Sequence, residues 1–190
     1  MTAKACREIL GDAGVGWLQD GVGKGGELTM SSTNDLEDAR LSFRSQLRDW
    51  TPERKGTPYY SAPSFCTATD GFGEFSLEFG PSILPLDAPI SGENEDGLIV
   101  TPVNSDVRLL LKLGAVDVSY HVFVGCKIPG TPAQQKNDVP LEGQMRDGVN
   151  GNSSARVHFT HLLHSAKVMT KAIGCENKPV IPAEPPSSVK

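Results

Sequence analysis

Apolar residues recur at helical spacing in two long stretches and alternate with polar ones in several others. In NDLEDARLSFRSQLRDW (34–50), Leu36, Phe43, Leu47 and Trp50 share one helical face and the charged residues take the other. Thr33 or Asn34 stands where a cap is needed, acidic residues fill the first turn, and Thr51-Pro52 ends the helix. In ARVHFTHLLHSAKVMTKAIGC (155–175), Phe159, Leu162, Leu163, Ala166, Met169 and Ile173 form one apolar stripe. The opening AKACREILGDAGVGWL offers Ile9, Leu10, Val15, Trp17 and Leu18 to one or two short helices broken by glycine.

Elsewhere the period is two. FCTAT and FGEFSLEF flank Asp70-Gly71, a hairpin signal, with Phe75, Leu77 and Phe79 on one face and Glu74, Ser76 and Glu78 on the other. LIVTPV reads as a short strand, and DVRLLLKL with VDVSYHVFVGC as a second hairpin around Gly114-Ala115. In its second arm Val116, Val118, Tyr120, Val122, Val124 and Cys126 face one way, and Asp117, Ser119 and His121 the other. ELTMSS is strand-like and VPLEGQMR is a further short strand. The expectation is an α+β domain over 1–178: N-terminal helices, a mostly antiparallel sheet, and a C-terminal helix packed on it. Within ENKPVIPAEPPSSVK (176–190), residues 179–190 read as a Pro-rich tail, linker or frayed end.

Composition narrows the class. Twenty glycines and fourteen prolines in 190 residues imply many turns and long connections. A net charge of −5 with scattered basic residues, only Arg54-Lys55 being adjacent in a polar linker, excludes a nucleic-acid surface. The longest apolar region, 107–126, is interrupted by Arg108, Lys112, Asp117 and His121 and cannot span a bilayer. No hydrophobic signal region precedes the first cysteine, so the chain reads either as cytosolic or as an ectodomain separated from its anchor.

The cysteines choose between these. Cys6, Cys66, Cys126 and Cys175 are isolated, without the close pairs of a zinc site, and an even number in a Gly/Pro-rich chain favours two disulfides over free thiols. Three pairings are possible. The favoured one puts a bridge in each half, Cys6–Cys66 and Cys126–Cys175, and loops of that size would stabilise the fold by up to about 4 kcal/mol each.

Candidate chemistry is sparse. His158, His161 and His164 suggest metal ligands at first sight. At about 100° per residue, His164 points away from the apolar stripe, His161 lies about 60° from His164, and His158 is nearer the buried edge. The outer two diverge by about 120°, so the three do not converge on one ion, and no carboxylate is evident on that side. His121 is read as a structural histidine. Gly21, Gly23 and Gly26 match G-x-G-x-x-G, but a helix precedes and a strand follows, the reverse of the dinucleotide context. Glu74 and Glu78 stand about 13 Å apart along a strand, too far for a glycosidase pair on one strand. Glu93, Glu95 and Asp96, in the long connection 80–97, lack calcium-loop order. Asn152-Ser153-Ser154 is formally a glycosylation acceptor. Nothing selects a Ser/His/Asp triad, and there is no nucleophile elbow or P-loop. Tyr59, Tyr60 and Phe65 are candidates for an aromatic contact patch.

With these residues placed, ACREIL, LEDARLSFRSQLRDWTP, APSFCTA, VFVGCKIPG and the terminal AIGC together resemble uncharacterised extracytoplasmic, signal- or membrane-anchored proteins of actinomycetes. The resemblance implies pairing of the first cysteine with the second and the third with the fourth, outside the cytoplasm, behind an N-terminal anchor not contained in this sequence. It lends no catalytic motif. The functional expectation is a non-catalytic extracytoplasmic domain, secreted or anchored at the cell surface, that binds a protein or envelope component and uses no cofactor. The alternative is a small-molecule or lipid carrier with its ligand between sheet and C-terminal helix, and a metal-dependent hydrolase on the histidines comes third.

Overall fold

Asp35, one residue later than expected, starts the second helix. In the computed structural model, which describes residues 3–23, 26–53, 59–90, 97–114 and 117–190, its side chain accepts from the backbone N–H groups of Glu37 and Asp38 at 2.9 Å. The Asp38 carboxylate accepts in return from the Asp35 N–H, so the box is closed from both sides. Asn34 and Thr33 instead donate to the Ser64 carbonyl, at 2.9 and 3.0 Å, and fasten the helix start to a strand.

The helices are α1 (Lys4–Gly21), α2 (Leu36–Leu47), a short α3 (Gln135–Asp138) and α4 (Ala155–Ile173). The strands are β1 (Thr29–Ser31), β2 (Ser64–Thr69), β3 (Glu74–Pro81), β4 (Leu98–Pro102), β5 (Val107–Leu113), β6 (Val118–Val124) and β7 (Leu141–Asp147). They form one seven-stranded sheet in the order β1-β2-β3-β7-β6-β5-β4, with every neighbouring pair antiparallel. The fold is thus α+β, as the patterning requires. The two hairpins, β2-β3 and β5-β6, form its halves. The late strand β7, which the sequence marks only weakly, enters between β3 and β6 and joins them.

One face of the sheet is apolar. Phe75, Leu77 and Phe79 of β3, Leu141 and Met145 of β7, Tyr120, Val122 and Val124 of β6 and Val107 and Leu109 of β5 meet α1, α2 and α4 in a single core. Gly143 stands among them because Phe79 lies on it: a Cβ there would sit 2.4 Å from the ring. Gly11 bends α1 into two helical pieces with φ 67 and ψ 174, a conformation open to glycine, and so brings the helix against His164.

Two bridges pin the helices to the sheet. Cys6 of α1 is joined to Cys66 of β2, and Cys126 after β6 to Cys175 just past α4, with Cα–Cα separations of 4.8 and 5.0 Å. The end of α4 is closed by Gly174 in the left-handed region (φ 74) and by Arg44 of α2, which donates twice to the Ile173 carbonyl.

The Pro-rich segment 179–190 is held against the domain rather than frayed. Ile181 is buried, Val180 exchanges hydrogen bonds with Asn104 and Asp106, and Arg156 of α4 donates to the carbonyls of Pro185 and Pro186. The sequence GVGKGG begins at Gly21, the last residue of α1, and precedes β1, so its surroundings are helix before and strand after; its Lys24 and Gly25 lie outside the described residues. The same holds for Arg54-Lys55, Ala115, Val116 and the acidic Glu93, Glu95 and Asp96.

Candidate functional site

Among the described residues none of α1, α2 and α4 lies on the second face of the sheet, which is divided in two. Over β4, β5 and β6 it is covered by the first part of the long connection after β3. Leu86 packs on Leu110 and Phe123, and the Arg108 guanidinium, 5.3 Å from the Phe123 ring centroid, donates to the carbonyls of Pro85 and Ala88. This part of the 80–97 loop is a structural cover with its own small core.

The other half, over β2, β3 and β7, is open and polar; at its β6 edge Ser119 is buried, at 6% exposure, and lies outside both of its clefts. Strand alternation sends Glu74, Ser76 and Glu78 of β3, Glu142, Gln144 and Arg146 of β7, and Ser119 and His121 of β6 to this side. Register sets them in rows: Ser76, Arg146 and Ser119 in one, Glu78, Gln144 and His121 in the next. Two clefts open here and share Glu78. One, of about 620 Å³, has Thr67, Ser76, Glu74 and Arg146 on its floor; the other, of about 380 Å³, is walled by Tyr59, Tyr60 and Ile83 above Glu78, Glu142 and Gln144. Glu78 and Gln144 are half-buried, and among the described residues neither is engaged by a protein partner. That leaves polar groups facing a concavity with hydrogen-bonding capacity to spare.

Glu142 is positioned. His121 bridges it to Ser119, with Nδ1 2.9 Å from Glu142 Oε1 and Nε2 2.9 Å from Ser119 Oγ. A carboxylate can only accept, so Nδ1 carries the hydrogen, and Nε2 is then the lone pair that receives the serine hydroxyl. The reading of His121 as a structural residue is therefore incomplete: it is the middle of a three-residue chain on the open face.

The histidines of α4 lie on the opposite side of the sheet and do not form one site. His158 is fully buried, not at an edge. A carboxylate does reach it: Asp147, at the end of β7, accepts from Nε2 at 2.9 Å, while Nδ1 donates to the Ser154 carbonyl at 2.9 Å. Asp147 also accepts from the N–H groups of Val149 and Asn150 and so shapes the turn into α4. With both ring nitrogens engaged and Tyr120 stacked on the ring at 4.2 Å, His158 is a structural tie; removing one partner from such a buried pair costs on the order of 3–5 kcal/mol. His161 stacks on Trp17 at 4.6 Å, and burial, followed by the neighbouring His164 and His158, holds its pKa below the ordinary value. His164 is exposed beside Gly11. Among the described residues no three His, Cys, Asp or Glu side chains are placed to share a metal ion.

The aromatic trio separates as well. Tyr59 is 96% exposed at the mouth of the smaller cleft and Tyr60 is half-buried in its wall, but Phe65 is 1% exposed and packs on Phe79. An irregularity between Ser64 and Cys66 turns Phe65 inward, so it belongs to the core and not to a contact patch. The space between the sheet and α4 is filled by Phe159, Leu162, Leu163 and Met169, all at 2% exposure or less, which counts against a carrier with its ligand there. Sequence patterning sorted Glu78 to a polar face and marked VPLEGQMR only as a short strand; that Gln144 and Arg146 share that face beside Glu78 follows from strand order and register.

No match to this chain was found among protein-family models, curated proteins or solved structures.

Proposed function

We propose that this protein is an extracytoplasmic binding domain, secreted or anchored at the cell surface, whose open sheet face engages a protein or an envelope component. The observation that carries the reading is the uncovered half of that face: two clefts that share Glu78, with Glu78 and Gln144 half-buried and, among the described residues, unengaged, beside an exposed Tyr59. An unused polar floor with an aromatic at its rim suits a ligand that supplies its own hydrogen bonds. Two disulfides are the chemistry of an oxidising, extracytoplasmic compartment, which supports the location. The resemblance to anchored actinomycete proteins points the same way.

The test uses Ser76→Trp and Gln144→Trp, which fill the clefts from the floor, and Lys171→Glu on α4, across the molecule, as a control. Retention of the purified protein on envelope fractions of the producing organism is expected to fall at least tenfold for the two cleft variants at unchanged melting temperature, the loss expected of a central contact. Equal retention of all variants would remove the reading.

A further inference from the structure

We infer that Ser119, His121 and Glu142 are a nucleophile, general base and orienting carboxylate able to hydrolyse an acyl ester laid on the open sheet face. This goes beyond binding and departs from the expectation of a non-catalytic domain. The order of the chain carries it. Ser119 Oγ meets His121 Nε2, and His121 Nδ1 meets Glu142, both at 2.9 Å, so the tautomer that the carboxylate selects leaves its lone pair on the serine hydroxyl. The three side chains come from two adjacent strands of a stiff sheet, which fixes their geometry without a mobile loop.

The neighbours complete the constellation. In register, Ser119 stands between Lys112 of β5 and Arg146 of β7, and both side chains leave the same face as the serine. Neither is tied into an ion pair among the described residues. Backbone N–H groups here belong to the sheet ladder, so two cations, rather than two amides, would face negative charge developing on a carbonyl oxygen. Arg146 also borders the larger cleft, whose floor of Thr67, Ser76 and Glu74 suits the hydroxyl groups of a polar alcohol.

The reaction balances with water alone. Ser119 Oγ bonds to the acyl carbon as its proton passes to His121 Nε2. The acyl carbon–oxygen bond then breaks, and the departing alcohol takes that proton. Water, deprotonated by His121, attacks the acyl-serine, and Ser119 leaves with its proton restored. Ester and water become acid and alcohol.

A fluorophosphonate probe tests this on the folded protein independently of any envelope partner. The serine oxygen would displace fluoride from phosphorus, and intact mass would show one adduct, mapped to Ser119. Ser119→Ala should abolish it and His121→Gln should slow it by about 100-fold, the usual contribution of a general base. Glu142→Gln should slow it less, and Ser45→Ala, an exposed serine on α2 away from both clefts, should label like the native chain. Hydrolysis of p-nitrophenyl acetate should follow the same ranking. A folded native protein that gains no adduct, or an adduct that survives Ser119→Ala, overturns the inference whatever the variants do. Envelope retention without labelling would leave binding standing alone, and labelling without retention would do the reverse.

Discussion

His161 shows how one side chain ties the fold to pH. Its ring lies flat on Trp17 and is half-buried, and its pKa is held below the ordinary 6.5 by burial and then by His164 and His158. In the unfolded chain it takes up a proton near pH 6.5. Between that value and the lower folded one, the unfolded state binds more protons, so stability rises with pH there. The contribution is present above about pH 6.5 and is lost as the pH falls. Urea midpoints are therefore expected to drop between about pH 7.5 and about pH 5, and to drop less in His161→Gln. An unchanged slope in the variant would assign the dependence to other groups. The helical phase in the sequence separated His161 from the apolar stripe, but it could not reveal Trp17, which comes from a helix 144 residues earlier in numbering. His158 makes the same point more sharply: its carboxylate partner, Asp147, is only eleven residues away, yet a turn whose shape no pattern predicts brings them together.

Among the elements, β7 decides the architecture. Leu141, Gly143 and Met145 alternate with Glu142, Gln144 and Arg146, so the strand itself was legible. Its place between β3 and β6 was not, because alternation fixes which face a residue takes and leaves the neighbouring strand open. The close approach of Phe79 to Gly143 is the local signature of that placement. Gly143→Ala is expected to destabilise by about 2 kcal/mol through overpacking, measured by urea denaturation. Phe79→Leu in the same chain should recover part of the loss; if it does not, the contact is not what sets the cost. The connection α3 illustrates the opposite case. It lay hidden in a proline-rich loop, yet its Gln135 is fully buried and bonds Ile128, Thr131, Cys126 and Val139, organising the path between β6 and β7.

For the molecule as a whole, the bridges and the sheet divide the work. Cys6–Cys66 holds α1 to one half of the sheet and Cys126–Cys175 holds the end of α4 to the other. Closing loops with sequence separations of 60 and 49 removes unfolded-chain entropy worth up to about 4 kcal/mol each. Reduction in denaturant should add about 4 Da, one hydrogen per sulfur, and Cys126→Ala with Cys175→Ala should lower the melting temperature clearly while leaving the strand content. A native mass that does not change on reduction would contradict the pairing.

Fold class, the helix faces, both hairpins and the presence of two disulfides were legible in the sequence itself, because each rests on a local period or on a small set of distinctive residues, while the pairing, favoured among three, is given by the fold. Tertiary structure alone decided the rest: the insertion of β7, the cover that closes half of the outer face, the inward turn of Phe65, and the meeting of Ser119, His121 and Glu142. These depend on which strands lie side by side. Strand order is settled by the total burial of apolar surface across the whole sheet, and no single stretch of chain carries that quantity.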